Sequence, residues 1–404
     1  MQNHIPAIAS FLNERKEAYV DDLAALVNVD SGTYDKAGVD QIGRWVRSRL
    51  AQMDAQVHRY PQQEFGDCVL GRWLGSGDGR VLIVAHMDTV YAPGTAAERP
   101  LRINGDRAIG PGAADMKGGL LAGLNAVAAL QGIGFTGFAE IAFWVNSDEE
   151  VGSPASRHLT ADFARQADAV LVLEPARANG DIVSARKGNG QYTITVQGRS
   201  AHSGVEPEKG VHAILELAHV LIALHELNGL RPGVSVNANV VSGGTRTNVI
   251  PDRAEARVDV RVPDEEAAAA IHQAIHALAG PGRDIAGTVV KVDGAVTMPP
   301  MPLSPATARL AALATGIARE IGFELHDTFT GGGSDGNFAA ASGIPVLDGL
   351  GPVGGLVHSP HEYLEIETIV PRTILLAGLI MSITQGGVKD EHRGHRTAYS
   401  RATN

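Results

Sequence analysis

The chain has 404 residues, 44% of them hydrophobic, which at roughly 100–200 residues per domain suggests two or three domains with their own cores and excludes disorder as the dominant state. With 34 Lys plus Arg against 45 Asp plus Glu, the formal charge is −11, which repels phosphate backbones and anionic lipid and argues against nucleic-acid or membrane-surface binding. The single cysteine, Cys68, excludes an intramolecular disulfide and reads as a small buried hydrophobe.

Charges break every apolar stretch before Leu23, and the most lipid-like run, Ile374 to Met381, falls short of the roughly 20 residues of a spanning helix. A soluble cytoplasmic protein without a signal peptide is expected. Val39, Ile42, Val46 and Leu50 then recur at spacings of three and four, an apolar stripe on one helix face. Nearly unbroken apolar runs follow at 81–85, 140–145 and 169–173, with a helix pattern over 116–130 between the first two. Strands buried on both faces and alternating with helices predict an α/β fold whose mainly parallel, mixed sheet carries helices on both faces.

The pattern changes near Asp181. Residues 191–196 alternate polar and apolar, and a helix over 210–227, strands over 234–241 and 254–262, a helix over 265–278 and a strand over 288–292 follow. This β-α-β-β-α-β order reads as a small α+β sandwich inserted into the first domain. Near Thr307 the earlier style resumes, with a strand at 344–347 and a helix at 371–383. The expected organisation is a discontinuous first domain, 1–182 and 296–388, an inserted domain over 183–295, and a disordered polar tail over 389–404.

Open α/β sheets bind ligands at the carboxyl ends of their strands, so histidines and acids there are the candidates for chemistry. His86 and Asp88 end the first buried run, two apart and therefore on one side of the strand, where the acid can orient the imidazole. Asp115 lies in a glycine-rich loop leading into a helix, where an N-cap is the plainer reading. Asp148, Glu149 and Glu150 follow the second run directly, and three acids at a buried strand end repel one another unless a cation or hydrogen-bond donors compensate. Glu174 ends the third run, with a helix start as its plainer reading. A late Val357-His358-Ser359-Pro360-His361-Glu362 completes the set.

With Thr330-Gly331-Gly332-Gly333-Ser334-Asp335 and Gly343-Ile344-Pro345-Val346 added, the chain resembles the dinuclear zinc metallopeptidases that include aminoacylase, acetylornithine deacetylase, succinyl-diaminopimelate desuccinylase and, with the strongest likeness, the bacterial glutamate carboxypeptidases. The likeness runs from about residue 20 to about residue 385. It implies a zinc-exopeptidase catalytic domain with two zinc ions per chain, cobalt or manganese being possible substitutes. One ion would be held by His86 and Glu174, the other by Glu150 and His358, with Asp115 bridging. Asp88 would steady His86, and Glu149 would be the general base. The inserted domain would be a lid and homodimer interface, its His202 in Ser200-Ala201-His202-Ser203 stabilising the oxyanion. Lys187, Asn248 and Arg261 match the family's substrate anchors, and the loop of Gly333 would line the substrate site.

The function expected is hydrolysis of amide bonds in N-acyl amino acids or small peptides with a free carboxylate. The alternative within the class is a deacetylase or desuccinylase of a biosynthetic intermediate. Between Val290 and Leu303 there is no arginine, where glutamate-specific members carry a basic residue, which weakens the case for a glutamate side chain. A catalytically silent binding protein on the same fold is the rival from another class, and the complete set of ligand types and Glu149 speaks against it. His272 and His276, four apart on a helix, read as an exposed face, and His361 as a helix-start or supporting residue.

Overall fold

The apolar runs of the first part of the chain assemble into a six-stranded sheet. In spatial order its strands are Gln56–Tyr60, Cys68–Leu74, Glu140–Asn146, Arg80–His86, Ala169–Val172 and Val346–Leu347. The last four are mutually parallel, and the first two add an antiparallel edge. The computed structural model describes residues 4–387 of the chain; the tail expected to be disordered, 389–404, lies outside them.

Helices cover both faces of this sheet, as a parallel sheet requires. Val81, Ile83, Ala85, Ile141, Phe143, Val145 and Leu171 pack into one large core with helices Lys36–Gln52, Gly119–Gly132, Pro305–Ile321 and Ile369–Thr384. The stripe Val39, Ile42, Val46 and Leu50 is at most 1% exposed. On the opposite face Trp144 meets Phe163 of helix Arg157–Ala164 with ring centroids 5.0 Å apart and donates its indole N–H to Thr160. Helix Gly119–Gly132 comes so close to the sheet that a Cβ on Gly119 would lie 1.9 Å from the Leu173 carbonyl oxygen, so only glycine fits there.

Among the described residues one helical stretch, Ile366–Thr384, is long and apolar enough to cross a membrane. It exceeds the run 374–381 because Pro371 sits in the first turn of the helix, where its missing N–H costs nothing. Its apolar window is 67% buried within the protein, and it contributes many residues to the core beside the sheet, the placement of a core helix.

The chain divides into two units. Among the described residues, one comprises residues 4–184, Leu303–Thr328 and residues 342–387; the other comprises Ala185–Pro302 and Phe329–Ala341. The second is a two-layer α/β unit. Its antiparallel sheet runs in the order Ser235–Gly243, Arg253–Val262, Gly188–Gln197, Val289–Met298, Gly280–Pro281. Alternate residues of these strands, Tyr192, Ile194, Val196, Ala256, Val258 and Val260, form one core with Leu217, Val220, Ile271 and Ile275 of helices Ala213–Glu226 and Glu265–His276.

The division differs from the sequence expectation, and the second unit begins at Ala185 rather than 183. The return to the first unit falls after Pro302 rather than at 296, because the last long strand extends to Met298 and Met301 then exchanges two backbone hydrogen bonds with Arg186. Residues 329–341, expected in the first domain, belong to the second unit. Asn337 ties them there by donating to the carbonyls of Lys187 and Pro299, at 3.1 and 2.7 Å.

Candidate metal centre

Parallel strands end on the same edge of their sheet, and the register makes the three ends coincide. His86 pairs with Asn146 and Val84 with Val172, so His86, the acids after Asn146 and Glu174 two residues past Val172 are brought level. Backbone bonds continue the ladder past the strands, from Met87 N–H to Asn146 O and from Leu173 N–H to Val84 O. The segment 113–118 reaches this edge as an irregular turn in which Asp115 has extended angles, φ −113° and ψ 94°. Asp115 therefore does not cap the helix. Glu174 does not start one either.

The Asp115 carboxylate turns one oxygen to each of two histidines: Oδ1 lies 3.2 Å from His86 Nε2, and Oδ2 lies 3.2 Å from His358 Nε2. Glu174 stands 3.6 Å from His86 Nε2, and Glu150 stands 3.2 Å from His358 Nε2. His358 adopts a left-handed backbone, φ 62°, uncommon outside glycine, in bringing its ring to these acids. His86 donates Nδ1–H to the Asp88 carbonyl at 3.0 Å, which turns Nε2 towards Asp115 and Glu174.

The Asp88 carboxylate accepts the backbone N–H groups of Glu149 and Glu150, each at 3.2 Å, and the hydroxyl of Thr33 at 2.7 Å. It thus holds the acid pair as well as facing His86. Glu149 offers a carboxylate oxygen in a group with His86 and Glu174 whose donor atoms all lie within 4.8 Å of one another.

Five carboxylates and two imidazoles in so small a space demand positive charge. Burial works against protonating His86, but hydrogen bonds to Asp115 and Asp88 and the charge of Glu174 outweigh it and hold the ring's pKa well above its ordinary value. Bonds to Asp115 and Glu150 raise that of His358 to about 10. Burial opposes ionisation of Asp115, yet the two histidines hold it below the usual carboxylate range. The donor set fits a pair of divalent ions: separations of 3.2–3.6 Å match the edge of about 3.3 Å expected for a tetrahedron with metal–ligand distances of roughly 2.0–2.1 Å.

One residue of the late motif, given no role of its own from the sequence, proves to be a support. Glu362, 1% exposed, accepts the N–H groups of Ala114 and Asp115 on one oxygen, at 2.9 and 3.0 Å, and Gly112 N–H and the Tyr91 hydroxyl on the other, at 3.1 and 2.6 Å. It clamps the turn that carries Asp115. His361, its neighbour, is exposed in a turn and starts no helix. Cys68 is buried, 3.4 Å from the Ser147 hydroxyl.

The remaining candidates lie in the second unit, in two groups. His202 pairs with Val249 in a short ladder, next to Asn248, whose carbonyl accepts Ser203 N–H. The His202 Nδ1 accepts the N–H groups of Gly204 and Val205, both at 3.1 Å, which places the ring proton of the neutral form on Nε2. Lys187, Arg261 and Gly333 form the other group. Lys187 donates its backbone N–H to Thr330 O, and its ammonium lies 5.9 Å from the centre of the Phe329 ring, with no ion-pair partner among the described residues. Arg261 is forked onto Asp259 through Nε and Nη2, at 3.0 and 3.1 Å, and its Nη1 donates to Gly331 O. His272 rests on the Tyr192 hydroxyl at 3.0 Å on an exposed helix face.

Residues 82–382 match peptidase family M20/M25/M40, and the chain belongs to that family. It is a metallohydrolase with the family's mixed α/β architecture. Carboxypeptidase G2 of Pseudomonas sp. (strain RS-16) is 32% identical over 378 residues, 92% of this chain and 91% of that protein. Succinyl-diaminopimelate desuccinylase of Maricaulis maris (strain MCS10) is 30% identical over 375 residues, 88% of this chain and 93% of that protein. The solved structure of a dinuclear metal-binding M20 peptidase from Bacillus subtilis superposes with a TM-score of 0.69 at 16% identity, covering 93% of this chain and 99% of that one.

Proposed function

We propose that this metallohydrolase cleaves amide bonds of N-acyl amino acids or small peptides that carry a free C-terminal carboxylate. The observation that carries the chemistry is the Asp115 carboxylate shared between His86 and His358 with Glu149 alongside. His86 and Glu174 would hold one ion and Glu150 and His358 the other. Two imidazole nitrogens with carboxylate oxygens suit zinc and tolerate cobalt or manganese. When bound, the pair supplies Lewis acidity to the scissile carbonyl and acidifies water.

The chain's own groups do the rest. Glu149 takes the proton of the attacking water and returns it to the leaving nitrogen. Asp88, by accepting the N–H groups of Glu149 and Glu150, keeps the base and its neighbour in separate roles. His202, with its proton on Nε2, is the proposed donor to the developing oxyanion. Lys187, Asn248, Arg261 and Gly333 are the proposed substrate anchors. We assign the carboxylate itself to Lys187, because the Arg261 fork is already taken by Asp259.

A charge-assisted bond of about 1.5–3 kcal/mol corresponds to roughly a ten- to hundred-fold effect. Lys187→Ala is expected to lower kcat/KM by that factor for an N-acyl amino acid and to leave its carboxamide unchanged. Equal losses on acid and amide would refute the assignment. The similarity to succinyl-diaminopimelate desuccinylases supports a second reading, removal of a succinyl or acetyl group from a biosynthetic intermediate. A hydrolysis screen over acyl groups, with each carboxylate free or amidated, decides between them.

A homodimer through the second unit is part of the proposal. Strand Ser235–Gly243 is the edge of its sheet and exposes Val240 and Val241, while helix Ala213–Glu226 exposes Ile214, Leu215 and Ile222. An open apolar edge of this kind calls for cover. Light scattering is expected to give twice the chain mass at micromolar concentration; a monomer there would count against it. We also place the enzyme in the cytoplasm, in keeping with a fold that uses no disulfide.

A further inference from the structure

The loop Gly331-Gly332-Gly333 has no preferred backbone shape of its own, since glycine populates all the allowed regions. Something must impose one, and the structure assigns that task to Arg186. Its side chain is buried, the residue being 7% exposed, and its Nη1 donates to the carbonyl oxygens of Gly332 and Gly333 at 3.1 and 3.3 Å. Arg186 is itself anchored, its backbone N–H and C=O both paired with Met301. Arg261 holds the preceding carbonyl, Gly331 O, at 3.4 Å.

In a trans peptide the carbonyl and the following N–H point in opposite directions. Pinning Gly332 O to a guanidinium therefore turns the N–H of Gly333 away from it. That N–H makes no hydrogen bond to any described residue, whereas the next one, of Ser334, is taken by Asn337. No side chain can stand in the way at this point: a Cβ on Gly333 would lie 2.0 Å from Met298 Sδ. The same segment fixes Lys187, the residue after Arg186, through Lys187 N–H to Thr330 O and Asn337 to Lys187 O.

We propose that Arg186 is a positioning residue that sets the glycine loop so that Gly333 N–H and the Lys187 ammonium together meet the substrate carboxylate. This rests on the carboxylate reading given above. It adds a residue that never touches substrate and a backbone donor that side-chain scanning would miss.

The test compares wild type with Arg186→Gln and Arg186→Lys on an N-acetyl amino acid and its carboxamide. It adds calorimetric binding of the same N-acetyl amino acid to metal-free protein, where no turnover occurs. For the free acid, Arg186→Gln is expected to raise KM and the metal-free Kd roughly tenfold, the size of one charge-assisted hydrogen bond. Its kcat, its metal content and its values for the carboxamide should match wild type. Arg186→Lys, which keeps the charge and can reach one carbonyl, should fall between them, and it carries the test if the Gln variant does not fold. Variants that keep the wild-type preference for acid over amide, or that weaken both alike, overturn the assignment to Arg186 while leaving the carboxylate reading intact. A wild type that treats acid and amide alike overturns the carboxylate reading itself, and this assignment with it.

Discussion

Glu149→Ala is expected to retain both metal ions while kcat falls by about 10²–10⁴-fold, the usual contribution of a positioned general base. Glu150→Ala should lose metal as well as activity. The two residues are adjacent, and both take their backbone position from the Asp88 carboxylate, so a general disturbance of the turn would strike them equally. Their side chains differ in company. Glu150 stands 3.2 Å from His358 Nε2, whereas Glu149 groups with His86 and Glu174. That grouping makes a ligand role for Glu149 a real competitor. Metal analysis beside single-turnover kinetics separates the two, and parallel loss of metal in both variants would reject Glu149 as the base.

Glu362→Ala is the second large effect expected, and it falls on a residue with no proposed role in proton transfer. Removing the carboxylate strips the partner from the buried N–H groups of Gly112 and Ala114 and from the half-buried N–H of Asp115, while the Tyr91 hydroxyl keeps the Ser359 carbonyl. An unsatisfied buried group costs about 1–3 kcal/mol, so the loss of stability should reach several kcal/mol and show as a clear fall in melting temperature. Because two of those N–H groups are those of Ala114 and Asp115, the Asp115 carboxylate loses its support, and metal affinity should fall about 10–100-fold, as when a ligand's supporting partner is removed. Glu362→Gln keeps one accepting oxygen and should lose less on both counts. Unchanged metal affinity in the Ala variant would show that the turn holds Asp115 without the clamp.

Local pattern made much of this protein legible. The three- and four-residue spacing from Val39 to Leu50 could only be one helix face, and the apolar runs at 81–85, 140–145 and 169–173 could only be strands covered on both sides. Because such strands run parallel, residues just past their ends must gather on one edge, so His86, Glu149, Glu150 and Glu174 could be grouped from order alone. The strand lengths and turn conformations were less visible. The last long strand of the second unit runs to Met298 rather than 292, past Gly294 at φ 126°. Asp115, placed where an N-cap is commonplace, is turned out of the helix altogether.

What the sequence determined by itself is therefore the class of fold, its interrupted plan and the residue types at the strand ends, because hydrophobic period is a short-range property and apolar runs separated by helices imply parallel pairing. What only the tertiary structure decided is which atoms meet. The bond from Gly112 N–H to Glu362 spans 250 residues, and that from Arg186 to Gly332 spans 146. No periodicity encodes such a contact, since a buried carboxylate or guanidinium finds its partners only once packing has brought distant backbone groups together and left them no water to bond.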